Sequence, residues 1–204
     1  AVPVAPFIKA LSDPDARVRL QAVTGLGRLG HPEVAAALLA RTTDSDPVVA
    51  HVAVQAVRWL RAADACFAAL DGKDERLHPG ALRVLQALPE PSVVAGLTSR
   101  LERATGPLRV GIFATLSRLA FKEAPYTDPK MWWGTRPDTS GPIYKPERWE
   151  QSGAIETALK RALEQAQGAD ATAFVRWLIR TKVTFPGATE LILAKAGHDT
   201  ASRL

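Results

Sequence analysis

The sequence predicts an all-α fold: a right-handed α-α superhelix, or solenoid, built from stacked helix pairs. Three observations lead there. Alanine and leucine dominate a 204-residue chain that is 47% apolar, and aromatic residues are few outside one stretch; that composition favours close-packed helices over sheet. Apolar residues recur at three- and four-residue spacing in one segment after another, the signature of helices with a single buried stripe. Short proline breaks separate these segments and return at roughly 30-residue intervals, as in stacked helical units that cannot bury an apolar face alone.

Taken in order, Val2 to Ser12 reads as a short helix closed by Asp13-Pro14. Asp15 to Leu29 is the second, with Val18, Ala22, Val23, Leu26 and Leu29 on one stripe. Within it, Gly25-Leu26-Gly27 is too short to cradle a phosphate and marks a point of close packing. Gly30-His31-Pro32 is a break, and Pro32 suits the first position of a helix running to Arg41. A further helix spans Val48 to Leu60. The dipeptides Asp13-Pro14 and Asp46-Pro47, and the strings QAVTGL (21–26) and QAVRWL (55–60), align two repeat units. His78-Pro79 marks the next break, before a helix from Gly80 to Leu88, and Gly106-Pro107 opens a fourth unit whose GIFATLSRL echoes the second helix.

The string DPDARVRLQAVTGLGRLG, with its proline turn, Val-Arg pair and following Ala-Val-x-x-Leu, resembles a HEAT repeat. In that family aspartates and arginines of successive units form ladders. The resemblance places Asp13 and Arg19 in those roles in the first unit and Asp46 in the second. His51 or Val52 stands where the second arginine is expected, and Arg83 and Arg109 are irregular substitutes later on. It covers about residues 1–122. It implies a fold and no particular activity, since solenoids host many functions.

Residues 124–151 interrupt the repeats. This stretch holds three of the five tryptophans, both tyrosines and five of the fifteen prolines. A connection of roughly 28 residues is long for a compact domain, and its aromatic content argues against disorder. It is read as an ordered insert, with turns at Thr127-Asp128-Pro129, Arg136-Pro137-Asp138 and Ser140-Gly141-Pro142 and one helical turn at Pro146 to Trp149. Trp132, Trp133, Arg136, Asp138, Tyr144, Arg148 and Trp149 are its candidate binding residues: tryptophans stack on a sugar ring or anchor a protein partner, and the polar groups bond hydroxyls. The alternative is that its tryptophans fold back to fill space along the helices, and that Arg136 pairs with Asp138 or Glu147. WWGTRPDTSGPIYKPERWE also resembles a segment of secreted, multidomain bacterial proteins of the planctomycete and verrucomicrobial type, in which HEAT-like repeats accompany a dehydrogenase-like propeller and a cytochrome c domain. That resemblance implies a helical module from a larger extracytoplasmic protein. No catalytic residue carries over with it.

Beyond the insert, Gly153 to Gln167 reads as an amphipathic helix with Ser152 as N-cap. Asp170 to Thr181 follows, with Phe174, Trp177 and Leu178 inward and Arg176 and Arg180 on a shared basic edge. A turn at Phe185-Pro186-Gly187 precedes a last helix, Ala188 to Ala196. The whole is expected to be one solenoid domain over 1–204, with repeats at 1–122, the insert at 124–151 and closing helices at 152–198.

The net charge is +5, and all of the excess lies after residue 99, dispersed among acids rather than gathered in a tract. That permits an anionic partner without demanding one, and it falls short of the dense basic face of most nucleic-acid-binding domains. A DNA-binding or repair protein using the insert tryptophans with Arg136, Arg148, Arg176 and Arg180 is therefore the third-ranked expectation, after carbohydrate binding. The single cysteine, Cys66, excludes an internal disulfide, a cysteine-clustered metal site and a haem-attachment motif, and reads as a small buried helix residue. His31, His51, His78 and His198 lack metal-ligand spacing, and Asp13, Asp44 and Asp46 read as capping residues. No nucleophile elbow, phosphate loop or dinucleotide fingerprint is present. The sequence leads to the expectation of a non-catalytic scaffold or protein-interaction module without cofactor, metal or membrane span. Its partners would be proteins or neighbouring domains of the same polypeptide.

Overall fold

The computed structural model describes residues 2–125 and 145–201. Helices make up the described chain apart from short 3₁₀ turns, connections and one two-stranded ribbon, in a solenoid-like arrangement of packed helix pairs. Two compact units result, Ala1–Leu88 and Pro89–Leu204.

The first unit contains α1 (Ala5–Ala10), α2 (Ala16–Leu29), α3 (Ala35–Ala40), α4 (Pro47–Trp59), α5 (Ala63–Asp71) and α6 (His78–Leu85). α2 packs on α4 and α4 on α6, while α3 packs on α5, so the pairs stack in two layers. The helix starts are set by aspartate caps. The Asp15 carboxylate accepts the Arg17 N–H, and that of Asp46 accepts the N–H groups of Val48 and Val49, satisfying donors that a helix start leaves open. Two residues before each cap a second aspartate accepts the cap residue's own N–H: Asp13 takes that of Asp15, and Asp44 that of Asp46. Asp13 is therefore equivalent to Asp44, not to Asp46, which corrects the sequence alignment. Ala22, Val23 and Leu26 correspond to Ala53, Val54 and Val57, all buried. The Asp-Pro dipeptides misled because the proline fills different places: Pro14 precedes the cap Asp15, whereas Pro47 follows the cap Asp46 as first helical residue.

Close approach of α2 and α4 depends on Gly27. A Cβ there would stand 2.8 Å from the Ala56 Cβ and 3.2 Å from its Cα, well inside van der Waals contact. Cys66 on α5 is fully buried, and burial pushes its thiol pKa up to about 12.

The second unit contains α7 (Pro91–Arg103), α8 (Gly106–Leu119), α9 (Ser152–Gln165), α10 (Gly168–Thr181) and α11 (Ala188–Ala201). α7 packs on α8 and α9, α8 on α10, and α10 on α11, again in two layers. Its core joins Val93, Leu97, Ile112, Leu116, Ile155, Leu159 and Leu178 around Phe113 and Phe174. Those two rings stack with centroids 3.8 Å apart. Thr115 and Ser117 are buried on α8 because each hydroxyl donates to a carbonyl one turn back, of Gly111 and Phe113, which removes the cost of an unpaired polar group.

Between α8 and α9 the chain forms a ribbon of β1 (Lys122–Glu123) and β2 (Pro146–Glu147), antiparallel, with Lys122 opposite Glu147 and Glu123 opposite Pro146. A further bond from the Ala124 N–H to the Lys145 carbonyl, 3.1 Å long, brings together the two ends of the chain that flanks residues 126–144. Pro146 and Glu147 are thus strand residues, not the start of the helical turn expected from the sequence.

Candidate functional site

Of the candidate residues in the insert, Trp132, Trp133, Arg136, Asp138 and Tyr144 lie outside the described residues. Arg148 and Trp149 are described, and both sit at the root of the insert, where it joins the second unit.

The root is built from α8, the ribbon and α9. Ser152, the first residue of α9, is buried rather than serving as N-cap; Gln151 precedes the helix and makes no side-chain cap bond. The Ser152 hydroxyl accepts the Trp149 N–H at 2.8 Å and donates to the Ala120 carbonyl at 2.7 Å. Its own N–H donates to the Trp149 carbonyl at 3.0 Å. Trp149 is half-buried, and its indole N–H donates to the Leu119 carbonyl at 2.7 Å. Together these bonds satisfy two of the carbonyls that the C-terminus of α8 leaves open.

Arg148 forms a two-pronged pair with Glu156, which is buried on α9; the Nη2 to Oε2 bond measures 3.0 Å and the Nη1 to Oε1 bond completes the fork. The hydrogen bond to Glu156, reinforced by its charge, holds the Arg148 guanidinium pKa further up. Two of the seven insert candidates are thus engaged by the scaffold.

The charged residues that the repeat resemblance singled out are also structural. The Arg19 side chain donates to both oxygens of Asp44, at 2.7 and 2.9 Å, and to the carbonyls of Asp13 and Pro14. The Asp44 side chain is only 3% exposed; its hydrogen bond with Arg19 outweighs desolvation and lowers its pKa below the ordinary 3.8. The rung therefore links Arg19 to Asp44 of the next unit, whereas Asp13 accepts Arg19 only through its carbonyl. In the second unit Arg109 occupies the same early position on α8 and reaches Asp170 on α10 at 3.0 Å, lying over the Phe174 ring. Arg109 is the irregular substitute the sequence suggested; Arg83 is exposed on α6.

Two hollows accompany these groups. One, about 360 Å³, is lined by Ser12, Asp13, Arg19, Arg41, Asp44 and Ser45. Its guanidiniums are already spent: Arg41 donates to the Leu11 carbonyl at 2.9 Å and lies 3.8 Å from Asp44. The other, about 170 Å³, lies between Leu101, Glu102, Ala158, Arg161 and Ala162, with Arg161 and Glu102 paired at 3.0 Å across its rim. Its size falls below that of a usual ligand pocket, which holds about 300 Å³ or more. Among the described residues no group of three or more His, Cys, Asp or Glu side chains is placed to hold a metal ion, and no helix is long and apolar enough to cross a membrane.

Exposed features are of another kind. Arg176 and Arg180 both project from α10, as the sequence placed them, and the Arg180 guanidinium sits 5.1 Å from the Trp177 ring centre. Ile179, between them, is 64% exposed, and Leu193 on α11 66%. In the first unit Trp59 is 57% exposed at the end of α4, its edge near Gly27 of α2. Trp59 was missed as a surface candidate, although its place two residues after Val57 puts it off the buried stripe.

Comparison with known families agrees with the geometry of the first unit. A family model of HEAT repeats matches residues 3–58, the span of α1 to α4. The fold is that of a HEAT-repeat-like helical domain. No curated protein matches the chain significantly.

Proposed function

We propose that this chain is a non-catalytic scaffold or protein-interaction module, whose partners are other proteins or neighbouring domains of its own polypeptide. One observation supports this above all. The described polar groups that chemistry or sugar binding would call on are committed inward, Arg148 to Glu156, the Trp149 indole to Leu119 and Arg19 to Asp44, while large apolar side chains stand exposed on helix faces at Trp59, Ile179 and Leu193. Tryptophan and arginine on such faces are the usual anchors of protein interfaces. In the same proposal, the insert's resemblance sets the module within a larger extracytoplasmic protein.

The test is a comparison of ligand classes on the purified chain. Immobilised glycans, duplex DNA and, through lysine-directed cross-linking mapped by mass spectrometry, polypeptides from the source cells are offered in parallel. The expected result is polypeptide cross-links without glycan or DNA binding. Micromolar glycan binding abolished by Trp132→Ala and Trp133→Ala would replace this reading with carbohydrate recognition by the insert.

A further inference from the structure

The C-terminal half of α10 has an unusual outer face. Arg176, Ile179 and Arg180 follow one another at i, i+3 and i+4, so they lie on one side of the helix, with the two guanidiniums one turn apart. All three are exposed. Lys182, which ends the helix in a left-handed conformation at φ 56°, adds a third exposed cation just beyond. Among the described residues neither Arg176 nor Arg180 has a carboxylate partner; the one acid on α10, Asp170, is taken by Arg109 at the far end of the helix.

Favourable interaction with the helix dipole accounts for cations near this terminus. It does not account for the rest. Ile179 beside them is 64% exposed, and the adjoining α11 shows Leu193 at 66%. Arg180 is held against Trp177, 5.1 Å from the ring centre, which orders the guanidinium and lowers the entropy lost when a partner engages it.

We propose that Arg176, Trp177, Ile179 and Arg180 form a docking surface for an acidic amphipathic segment of a protein partner. The segment carries carboxylates one helical turn apart, beside an apolar side chain that covers Ile179. Charge complementarity argues for this occupant: two guanidiniums one turn apart, without a carboxylate partner among the described residues, run alongside the exposed Ile179, and a helix bearing carboxylates one turn apart beside an apolar side chain matches that row. Nucleic acid fits less well, because three cations would neutralise only about three phosphates and the exposed Ile179 beside them is apolar. The proposal rests on the interaction-module reading and names the partner chemistry for one of its faces.

The experiment is an anisotropy titration of the intact chain with a fluorescein-labelled synthetic 15-residue peptide. The peptide has leucines at i, i+3, i+4 and i+7, glutamates one turn apart beside them, and alanine elsewhere. Its glutamine counterpart and a labelled 20-base-pair duplex serve as competing probes. Saturable binding is expected with Kd on the order of 10–100 µM, in the weak range of a small patch. Arg176→Glu with Arg180→Glu should weaken it at least tenfold. Arg176→Gln with Arg180→Gln, which adds no repulsion, should act in the same direction, and Ile179→Ala should weaken it severalfold. Arg161→Glu, on α9, should leave it unchanged. Circular dichroism confirms that these surface variants keep their helices.

No saturation below about 1 mM, or equal binding by the double variants, overturns the proposal. So does a duplex that binds tighter than the peptide and is lost in the same variants. Polypeptide adducts of a photo-reactive residue placed at position 59 that persist in the double variants would keep the interaction reading while this surface falls. Loss of polypeptide cross-links everywhere would remove both.

Discussion

Ser152→Ala is the perturbation that most sharply separates a structural root from a loose attachment. The serine is buried, and its hydroxyl makes two short bonds, accepting the Trp149 N–H at 2.8 Å and donating to the Ala120 carbonyl at 2.7 Å. Each lost bond costs about 1 kcal/mol net, and a buried partner that finds no substitute costs about 1–3 kcal/mol. The Ala120 carbonyl belongs to a fully buried residue, whereas Trp149 is half-buried and its N–H is open to replacement by water. The expected total is therefore about 2–3 kcal/mol. For a chain of this length each kcal/mol moves Tm by about 2–4 °C, so the melting transition that includes α8 and α9 should fall by about 5–10 °C. The assay is urea and thermal unfolding followed by circular dichroism, paired with hydrogen exchange at the Trp149 amide, which should speed up in the variant. Thr157→Ala is the control: that hydroxyl bonds the Gly153 carbonyl on an exposed surface and should cost under about 0.5 kcal/mol. If Ser152→Ala costs no more than Thr157→Ala, or leaves the Trp149 amide equally protected, the account of the insert's root is wrong.

Four further outcomes follow from the geometry. Arg19→Ala should destabilise the first unit by about 2–3 kcal/mol, less than the 3–5 kcal/mol of a fully buried broken pair, because Arg41 and the Asp46 N–H still face Asp44; chemical denaturation of the variant reads it. The Asp44 pKa is lowered in the folded state from 3.8, so its contribution is fully present above that value and is lost as pH falls through the folded pKa. The stability gap between the parent chain and Asp44→Asn should accordingly be flat above about pH 5 and close below about pH 4. Gly27→Ala, which improves helix propensity by about 1 kcal/mol, should nevertheless destabilise by about 1–3 kcal/mol through contact with Ala56, and Ala56→Gly in the same chain should restore most of the loss, as a double-mutant cycle would record. Cys66, with its thiol pKa pushed up to about 12, should resist a thiol reagent at pH 8 in the folded chain and react at once in denaturant; prompt reaction in the folded chain would show that α5 opens.

The fold class was legible because it rests on local patterns. Apolar spacing along Asp15 to Leu29 and Gly153 to Gln167, and breaks at Gly30-His31-Pro32 and Phe185-Pro186-Gly187, place α2, α9 and the start of α11 without reference to anything distant. Close packing at Gly27 was read correctly for the same reason, since two glycines inside a helical stripe mark a close approach. The repeat register was not legible. Proline precedes the capping aspartate in one unit and follows it in the next, so the matching dipeptides align the wrong residues. Ser152 was misread because a serine before an apolar run looks like a cap; only its distance to Ala120, far back in the chain, shows that it serves the helix before the insert as well as the one after. For Trp149 the packing role was the alternative reading of the sequence, whereas the pairing of Arg148 was not legible, since its partner Glu156 comes from a helix beyond the insert. Trp59 is legible as a surface residue only from its position relative to the buried stripe of α4, a weaker signal than the density of tryptophan in the insert.

The central claim, that exposed helix faces meet other proteins, is tested most directly by placing the photo-reactive residue p-benzoylphenylalanine at position 59, and separately at 179, in the chain expressed in its source cells. Irradiation is expected to give discrete polypeptide adducts at both positions and none at Gly153, an exposed position on α9. Absence of polypeptide adducts at both positions, with adducts to glycan or nucleic acid instead, would contradict it.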